Sequence, residues 1–429
     1  MRVLMFGWEF PPHISGGLGT ACYGLTKGLH SVGVNDIIFV VPKAYGDEDT
    51  SKVNIIDAGE IVVSERVIDY STFFQKMHFI EVGTSLRPYS TPEEYEKLTE
   101  ENREESKYLV QSSFSGKLSF SGGYGSNLYQ EITNYAVIGS IIAQQNEFDI
   151  IHAHDWLAYP AGIAAKLVSG KPLVVHVHAT DFDRSGGSVN PGVYEIEKSG
   201  MDAADKVIAV SNLTRNIIIE KYGIDPDKVV TVHNAVEPIA DRELQKLAAK
   251  SIDDKIVTFL GRVTLQKGPE YFIEAASLVL QKMRNVRFVM AGSGDMLNRM
   301  ITQVARLKMG DRFHFTGFLK GDDVYHMFSL SDVYVMPSIS EPFGISPLEA
   351  MQSNVPVIIS RQSGVSEILN HAIKIDFWDI HAMADAIYGF LNYDGLPLMF
   401  KKHAREEVDN LKWEHAAAKV KEVYLSILK

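Results

Sequence analysis

The sequence predicts an α/β protein built of two Rossmann-like, parallel-sheet domains that face each other across a cleft. Three observations predict it. Short apolar runs alternate with helix-length segments in two successive series, the pattern of parallel sheets with helices on both faces. A polar, charged stretch at residues 241–254 separates the two series. The loops that follow the apolar runs collect Gly, Arg, Lys and Glu, and in such sheets ligands bind beyond the carboxyl ends of the strands.

Composition bounds the rest. The chain has 429 residues, 45% of them hydrophobic, enough for two full cores. Its net charge, 42 − 54 = −12, argues against nucleic acid or an anionic bilayer as a partner. No apolar run approaches the ~20 residues of a membrane span. The apolar start at residues 1–6 is too short for a signal peptide and leads directly into a Gly-rich loop. The single Cys22 excludes an internal disulfide and fits a reducing, cytoplasmic location.

In the first series, residues 2–7 read as a strand. A loop containing Gly16 and Gly17 follows, then a helix over 21–30, so backbone N–H groups at a helix N-terminus are offered to an anion. Residues 35–42 are the second strand. Residues 45–125 have poor patterning and read as an insertion, with a solvated helix at 91–107 and a glycine loop at 119–126. A helix at 127–146 leads to a strand at 148–151 and then His152-Ala153-His154-Asp155-Trp156. The strand at 173–178 carries His176 and His178 on one face. Two histidine pairs raise the question of a metal. Zinc needs three or four supported ligands, so the reading is that no metal is bound. Ser211 caps a helix after the strand at 206–211, and a strand at 229–233 ends this domain, set at 1–240.

The second series has strands at 256–261, 286–292, 312–317, 333–336 and 355–359, within a domain set at 254–408. The loop Gly261-Arg262 to Lys267-Gly268 holds two cations. Cations fixed there can stabilise negative charge on a ligand without a metal. Glu341 falls on a strand-to-helix loop and Glu349 one turn into the helix, with seven residues between them. Gly344 lets backbone approach a ligand, and the N–H groups from Ile345 onward suit a phosphate or a sugar hydroxyl. Ser346 and Pro347 read as cap and first turn of that helix. Residues 409–429 end in an amphipathic helix from Trp413.

The run Glu341-Pro342-Phe343-Gly344-Ile345-Ser346-Pro347-Leu348-Glu349 resembles the Glu-(seven residues)-Glu motif of retaining glycosyltransferases with the GT-B fold. Further segments resemble the same family: Gly16-Gly17-Leu18, His152 to Trp156, His178 to Arg184, Ala203 to Ser211, Asn234 to Val236, the Arg262–Lys267 loop and Ser363 to Glu367. Together they look most like the glycogen and starch synthases. Asn354 stands where that family mostly carries Gly, at a turn position Asn can also occupy.

The resemblance implies a fold, with the C-terminal helix crossing back to the first domain, and it implies roles. Glu349 holds the ribose hydroxyls and Glu341 a sugar hydroxyl. Arg262 and Lys267 hold the diphosphate, helped by backbone N–H groups at Gly16-Gly17 and Phe343-Gly344. His178 borders the donor sugar, while His154, Asp155 and Trp156 line the cleft. It further implies an α-1,4-glucan synthase using ADP-glucose or UDP-glucose with an α-glucan acceptor, needing no cofactor. The motif Asp181-Phe182-Asp183 has the form that binds metal–nucleotide in a different glycosyltransferase fold. Without other support for that fold, it reads as two loop carboxylates. Transfer to another acceptor (sucrose-forming, mannosyl or cell-surface glycan) is the alternative, followed by a nucleotide-sugar epimerase and a non-catalytic binder. A hinge is expected at about 238–254 and near Trp413.

Overall fold

The structure, a computed structural model, describes residues 1–13, 16–63, 116–125, 127–239 and 253–428. Most of the insertion, with the helix expected at 91–107, and the linker at 240–252 lie outside the described residues.

The first domain contains β1 (Arg2–Phe6), α1 (Gly17–Ser31), β2 (Asp36–Val41), β3 (Asn54–Asp57), the short pair β4 (Val62–Val63) and β5 (Gly116–Lys117), and α2 (Leu128–Gln145). It continues with β6 (Ile150–His154), α3 (Tyr159–Ser169), β7 (Leu173–Val177), α4 (Asp181–Ser185), α5 (Pro191–Ala203), β8 (Lys206–Ala209), α6 (Asn212–Tyr222) and β9 (Val229–Thr231). The second domain contains β10 (Lys255–Leu260), α7 (Pro269–Lys282), β11 (Val286–Ala291), α8 (Leu297–Arg306), β12 (Phe313–Gly317), α9 (Asp322–Leu330), β13 (Val333–Met336) and α10 (Ser346–Gln352). The chain ends with β14 (Val357–Ser360), β15 (Ile373–Ile375), α11 (Ile380–Asn392), α12 (Gly395–Asp409) and α13 (Trp413–Ile427).

Seven strands form one parallel sheet in the order β3-β2-β1-β6-β7-β8-β9, and six form the other in the order β12-β11-β10-β13-β14-β15. Central strands are covered on both faces, so they read as unbroken apolar runs: Val3, Leu4, Met5 and Phe6 are all 0% exposed. Strand order reverses beside β1 in the first sheet, where Val3 pairs with both Ile37 and Ile150. It reverses beside β10 in the second, where Val257 pairs with both Phe288 and Val333. Crevices for ligands open at such reversals, so each domain offers one, with loops from β1 and β6 on one side and β10 and β13 on the other.

The last helix crosses back. Trp413, Ala417, Val420 and Tyr424 of α13 belong to the core of the first domain. Two glycines of α1 admit it: a Cβ on Gly24 would lie 2.2 Å from the Trp413 ring, and one on Gly28 would lie 2.5 Å from the Trp413 carbonyl oxygen. Cys22 is buried on the same helix.

Three local expectations are corrected. β6 does not stop at residue 151 but runs through His154, which makes His152 and His154 strand residues. Asp181-Phe182-Asp183 is not a loop but the start of α4, closed by a capping box between Thr180 and Asp183. Helix α10 takes Ile345, not Ser346, as its cap residue.

Candidate functional site

A cavity of about 340 Å³ lies where the two crevices meet. Of the residues expected at a site, Gly16, Gly17, Asp155 and His178 line it from the first domain. Arg262, Lys267, Glu341, Phe343, Gly344, Ile345 and Glu349 line it from the second.

The second-domain wall is a set of interlocked loops. Lys267 ends the 3-10 turn Leu265–Lys267 and forms an ion pair with Glu341. The next residue, Gly268, has φ +63°, and a Cβ there would lie 2.2 Å from the Pro337 carbonyl oxygen, so the loops from β10 and β13 touch through a glycine. Glu341 is 6% exposed. Its Oε2 accepts from Ser338 Oγ at 3.2 Å, its N–H donates to Gln362 O at 2.9 Å, and its carbonyl accepts from Gly364 N at 2.8 Å. Gly344 stands at φ +100°, a left-handed backbone that turns the chain from Glu341 into α10. Glu349 lies in the first turn of α10, where burial pushes its carboxyl up to about 7. The Ser346 hydroxyl is not a cap because it is 2.8 Å from Tyr334 Oη. Asn354 ends this helix at φ +58°, the left-handed turn that glycine otherwise fills, and Val355 N reaches back to Ala350 O at 2.9 Å.

The first-domain wall is backbone and carboxylate. α1 begins at Gly17 with no side-chain cap, and a Cβ on Gly16 or Gly17 would meet nothing within 4 Å. The opening N–H groups of α1 therefore have room beside them for an anion. Asp155 sits past the end of β6 at φ +64° and pairs with Arg184 at 3.0 Å. Arg184 also holds Glu197 at 2.9 Å. His178 follows β7, with Nε2 3.2 Å from His154 Nδ1. Desolvation pushes the His178 imidazole down to about 3, so it is neutral at neutral pH.

His154 and Trp156 are not on the cavity wall: they are 0% and 1% exposed, inside the first domain. The alternation of β6 explains His154. It shares a face with His152, under α13, where His152 Nδ1 is 2.6 Å from Tyr424 Oη. His152, His154 and His176 bring ring nitrogens within 4.8 Å of one another. His152 and His176 stack, however, only 8° from parallel, so the in-plane lone pairs of those two rings lie in near-parallel planes. The carboxylates of α4 are already engaged. Asp183 Oδ2 accepts from Thr180 N and Oγ1, both at 2.8 Å, and Asp181 Oδ2 from Asn190 N at 2.6 Å. Asp183 Oδ1 accepts from Ser340 Oγ of the second domain.

Sequence reasoning missed Glu9, Tyr124 and Lys320, which also line the cavity. Glu9 is 5% exposed and accepts from Tyr124 Oη. Its place just after the first strand was a usable signal. Tyr124 comes from the poorly patterned insertion, where no signal exists. Every Lys and Arg among the described lining residues belongs to the second domain: Arg262, Lys267 and Lys320.

Comparison with known proteins agrees with the two-domain fold. Residues 241–407 match the family Glycosyl transferases group 1, and residues 117–239 match Glycosyltransferase Family 4. The first match falls in the second domain and the second match in the first domain. The chain is 27% identical to an uncharacterized glycosyltransferase of Methanocaldococcus jannaschii, over 99% of the chain and 98% of the relative. It is 22% identical to the glycogen synthase of Mycobacterium tuberculosis, over 99% of the chain and 95% of the relative. Among solved structures it resembles sucrose-phosphate synthase from Thermosynechococcus elongatus, with a TM-score of 0.71 at 18% identity, covering 99% and 98% of the two chains. It also resembles Anabaena HepE in complex with UDP and glucose, with a TM-score of 0.66 at 16% identity, covering 99% and 100%. These likenesses carry the GT-B fold. No helix among the described residues is long and apolar enough to cross a membrane.

Proposed function

We propose that the protein is a retaining glycosyltransferase that moves glucose from ADP-glucose or UDP-glucose to the non-reducing end of an α-1,4-glucan. One observation carries this reading: the cations Arg262 and Lys267 and the carboxylates Glu341 and Glu349 converge on a single cavity that the first domain closes. In this reading Arg262, Lys267 and the start of α1 hold the diphosphate, and no divalent ion is needed. Charge grows on the diphosphate as the sugar leaves, so cations fixed there lower the barrier. Glu349 accepts the ribose hydroxyls. Glu341 accepts a sugar hydroxyl, Lys267 passing from Glu341 to the diphosphate as the donor enters. His178 stays neutral beside the sugar and adds no charge against the developing cation. The leaving phosphate assists the incoming hydroxyl on the same face, as the resemblance implies.

The charge of the walls favours a glucan over a phosphorylated acceptor such as the name of sucrose-phosphate synthase suggests for that protein. The first-domain wall offers Glu9 and, among its described lining residues, no Lys or Arg, while Asp155 is already paired with Arg184. A phosphate on the acceptor would face a carboxylate and no cation there. The test is a donor panel run with maltooligosaccharide or with phosphorylated sugars, all in excess EDTA. Elongated glucan with retained anomeric configuration is expected. Use of phosphorylated acceptors alone overturns the acceptor, and activity that returns only with magnesium or manganese overturns the metal-free diphosphate site.

A further inference from the structure

Glu367, at the end of the 3-10 turn Gly364–Glu367, does its bonding in the other domain. Its carboxylate accepts from Asn212 N at 2.9 Å and Leu213 N at 2.7 Å, the first two N–H groups of α6. Its Oε2 lies 2.8 Å from His233 Nε2, also of the first domain. Ser211 takes the third N–H of that helix, from Thr214, at 3.0 Å. The cap of α6 is thus shared between domains, with the anion supplied by the second where a helix N-terminus favours one. The other end of the same turn holds the donor loop: Gly364 N donates to Glu341 O and Val365 N to Phe343 O, each at 2.8 Å. The approach is close enough to demand a glycine, since a Cβ on Gly364 would lie 2.2 Å from Pro342 O and 2.4 Å from Ser211 Cβ.

We propose that Glu367 is a positioning residue: by gripping the first turn of α6 it fixes the loop of Glu341 and Phe343, so that donor-sugar geometry is set only when the two domains are in contact. This rests on the reading of Glu341 as a sugar-binding group. Nucleotide recognition depends on this contact less, because Arg262, Lys267 and Glu349 all belong to the second domain. Loss of Glu367 therefore acts mainly on the sugar.

The experiment compares Glu367→Ala and Glu367→Gln with the wild type by calorimetric titration of UDP and of UDP-glucose, by kcat with maltooligosaccharide, and by thermal unfolding. In Glu367→Ala, kcat and UDP-glucose affinity are expected to fall about ten- to hundredfold, the span of one charge-assisted hydrogen bond. UDP affinity should stay near wild type, and the melting temperature should drop by no more than the loss of one helix cap gives. Glu367→Gln, which keeps the shape and one acceptor oxygen, should recover part of the loss. Unchanged kcat and UDP-glucose binding in Glu367→Ala overturns the proposal. So does a parallel loss of UDP affinity, UDP-glucose affinity and stability, which is what a purely structural residue gives. If wild-type protein binds neither nucleotide, the donor reading itself fails, whatever Glu367 does.

Discussion

Glu349 enters the cavity from the first turn of α10 with its carboxyl held near 7 by burial. In the proposed role, ribose hydroxyls donate to the ionised form, so affinity for UDP-glucose should rise with pH through about 7. Below that it should fall about tenfold per unit. The stability effect has the opposite sense. The folded state holds the proton more tightly than the unfolded state, whose carboxyl titrates at 4.5, so this group costs stability increasingly as pH rises from 4.5 to about 7. Titrations from about pH 5.5 to about pH 8.5 read the binding directly, and a flat profile removes the ionised role. Glu349→Gln should weaken UDP and UDP-glucose together, by ~1.5–3 kcal/mol per lost contact. Glu341→Gln should spare UDP and weaken UDP-glucose; equal losses of UDP affinity in both would exchange the roles. At this scale the second-domain site was legible because its residues lie on loops with distinctive spacing. His154 and Trp156 were not. Both faces of a parallel sheet are covered, so alternation along β6 does not say which face meets the cavity and which meets a helix.

The central strands were legible as elements for the same reason: burial on both faces leaves an unbroken apolar run. The edge strands β3 and β15 were not, because each is only half buried and carries Asn, Asp or Lys. Helix α4 has five residues, too few for any periodicity, and its cap became visible only with Thr180 and Asp183 folded together. The seam between α1 and α13 was invisible as a contact because it is written in glycines. It makes a sharp prediction. Gly28→Ala puts a methyl group against the Trp413 backbone, which cannot rotate away, so α13 must shift; overpacking of this kind costs about 1–3 kcal/mol. Gly24→Ala strikes the Trp413 ring instead, so Trp413→Leu should restore much of the melting temperature lost by Gly24→Ala and none of that lost by Gly28→Ala. Melting temperatures unmoved by either glycine variant would mean that the helices do not pack through this seam.

For the whole molecule, the decisive fact is that neither domain holds a complete site. Arg262, Lys267, Glu341 and Glu349 are on one body, and the open helix start and His178 on the other. Contacts such as Ser340 with Asp183 join the two near the cavity, and they are polar bonds that can break and reform. Closing the domains over the donor would exclude water that otherwise hydrolyses the activated sugar. UDP with maltooligosaccharide should therefore shrink the radius of gyration measured by small-angle scattering. An unchanged radius at saturation, with binding shown separately, means a preformed site and no hinge. Most of the hinge expected at 238–254, residues 240–252, lies outside the described residues.

The sole cysteine gives such motion a clean background for observation. Cys22 is 0% exposed, and burial raises its thiol well above the ordinary range, so a folded molecule presents no reactive thiolate. A cysteine introduced on each lip of the cleft would accept dyes without competition from the native sulfur. Reaction at Cys22 itself would then count the molecules whose first domain had come apart. The same protein thus carries a silent ground for distance measurements and a built-in alarm for unfolding.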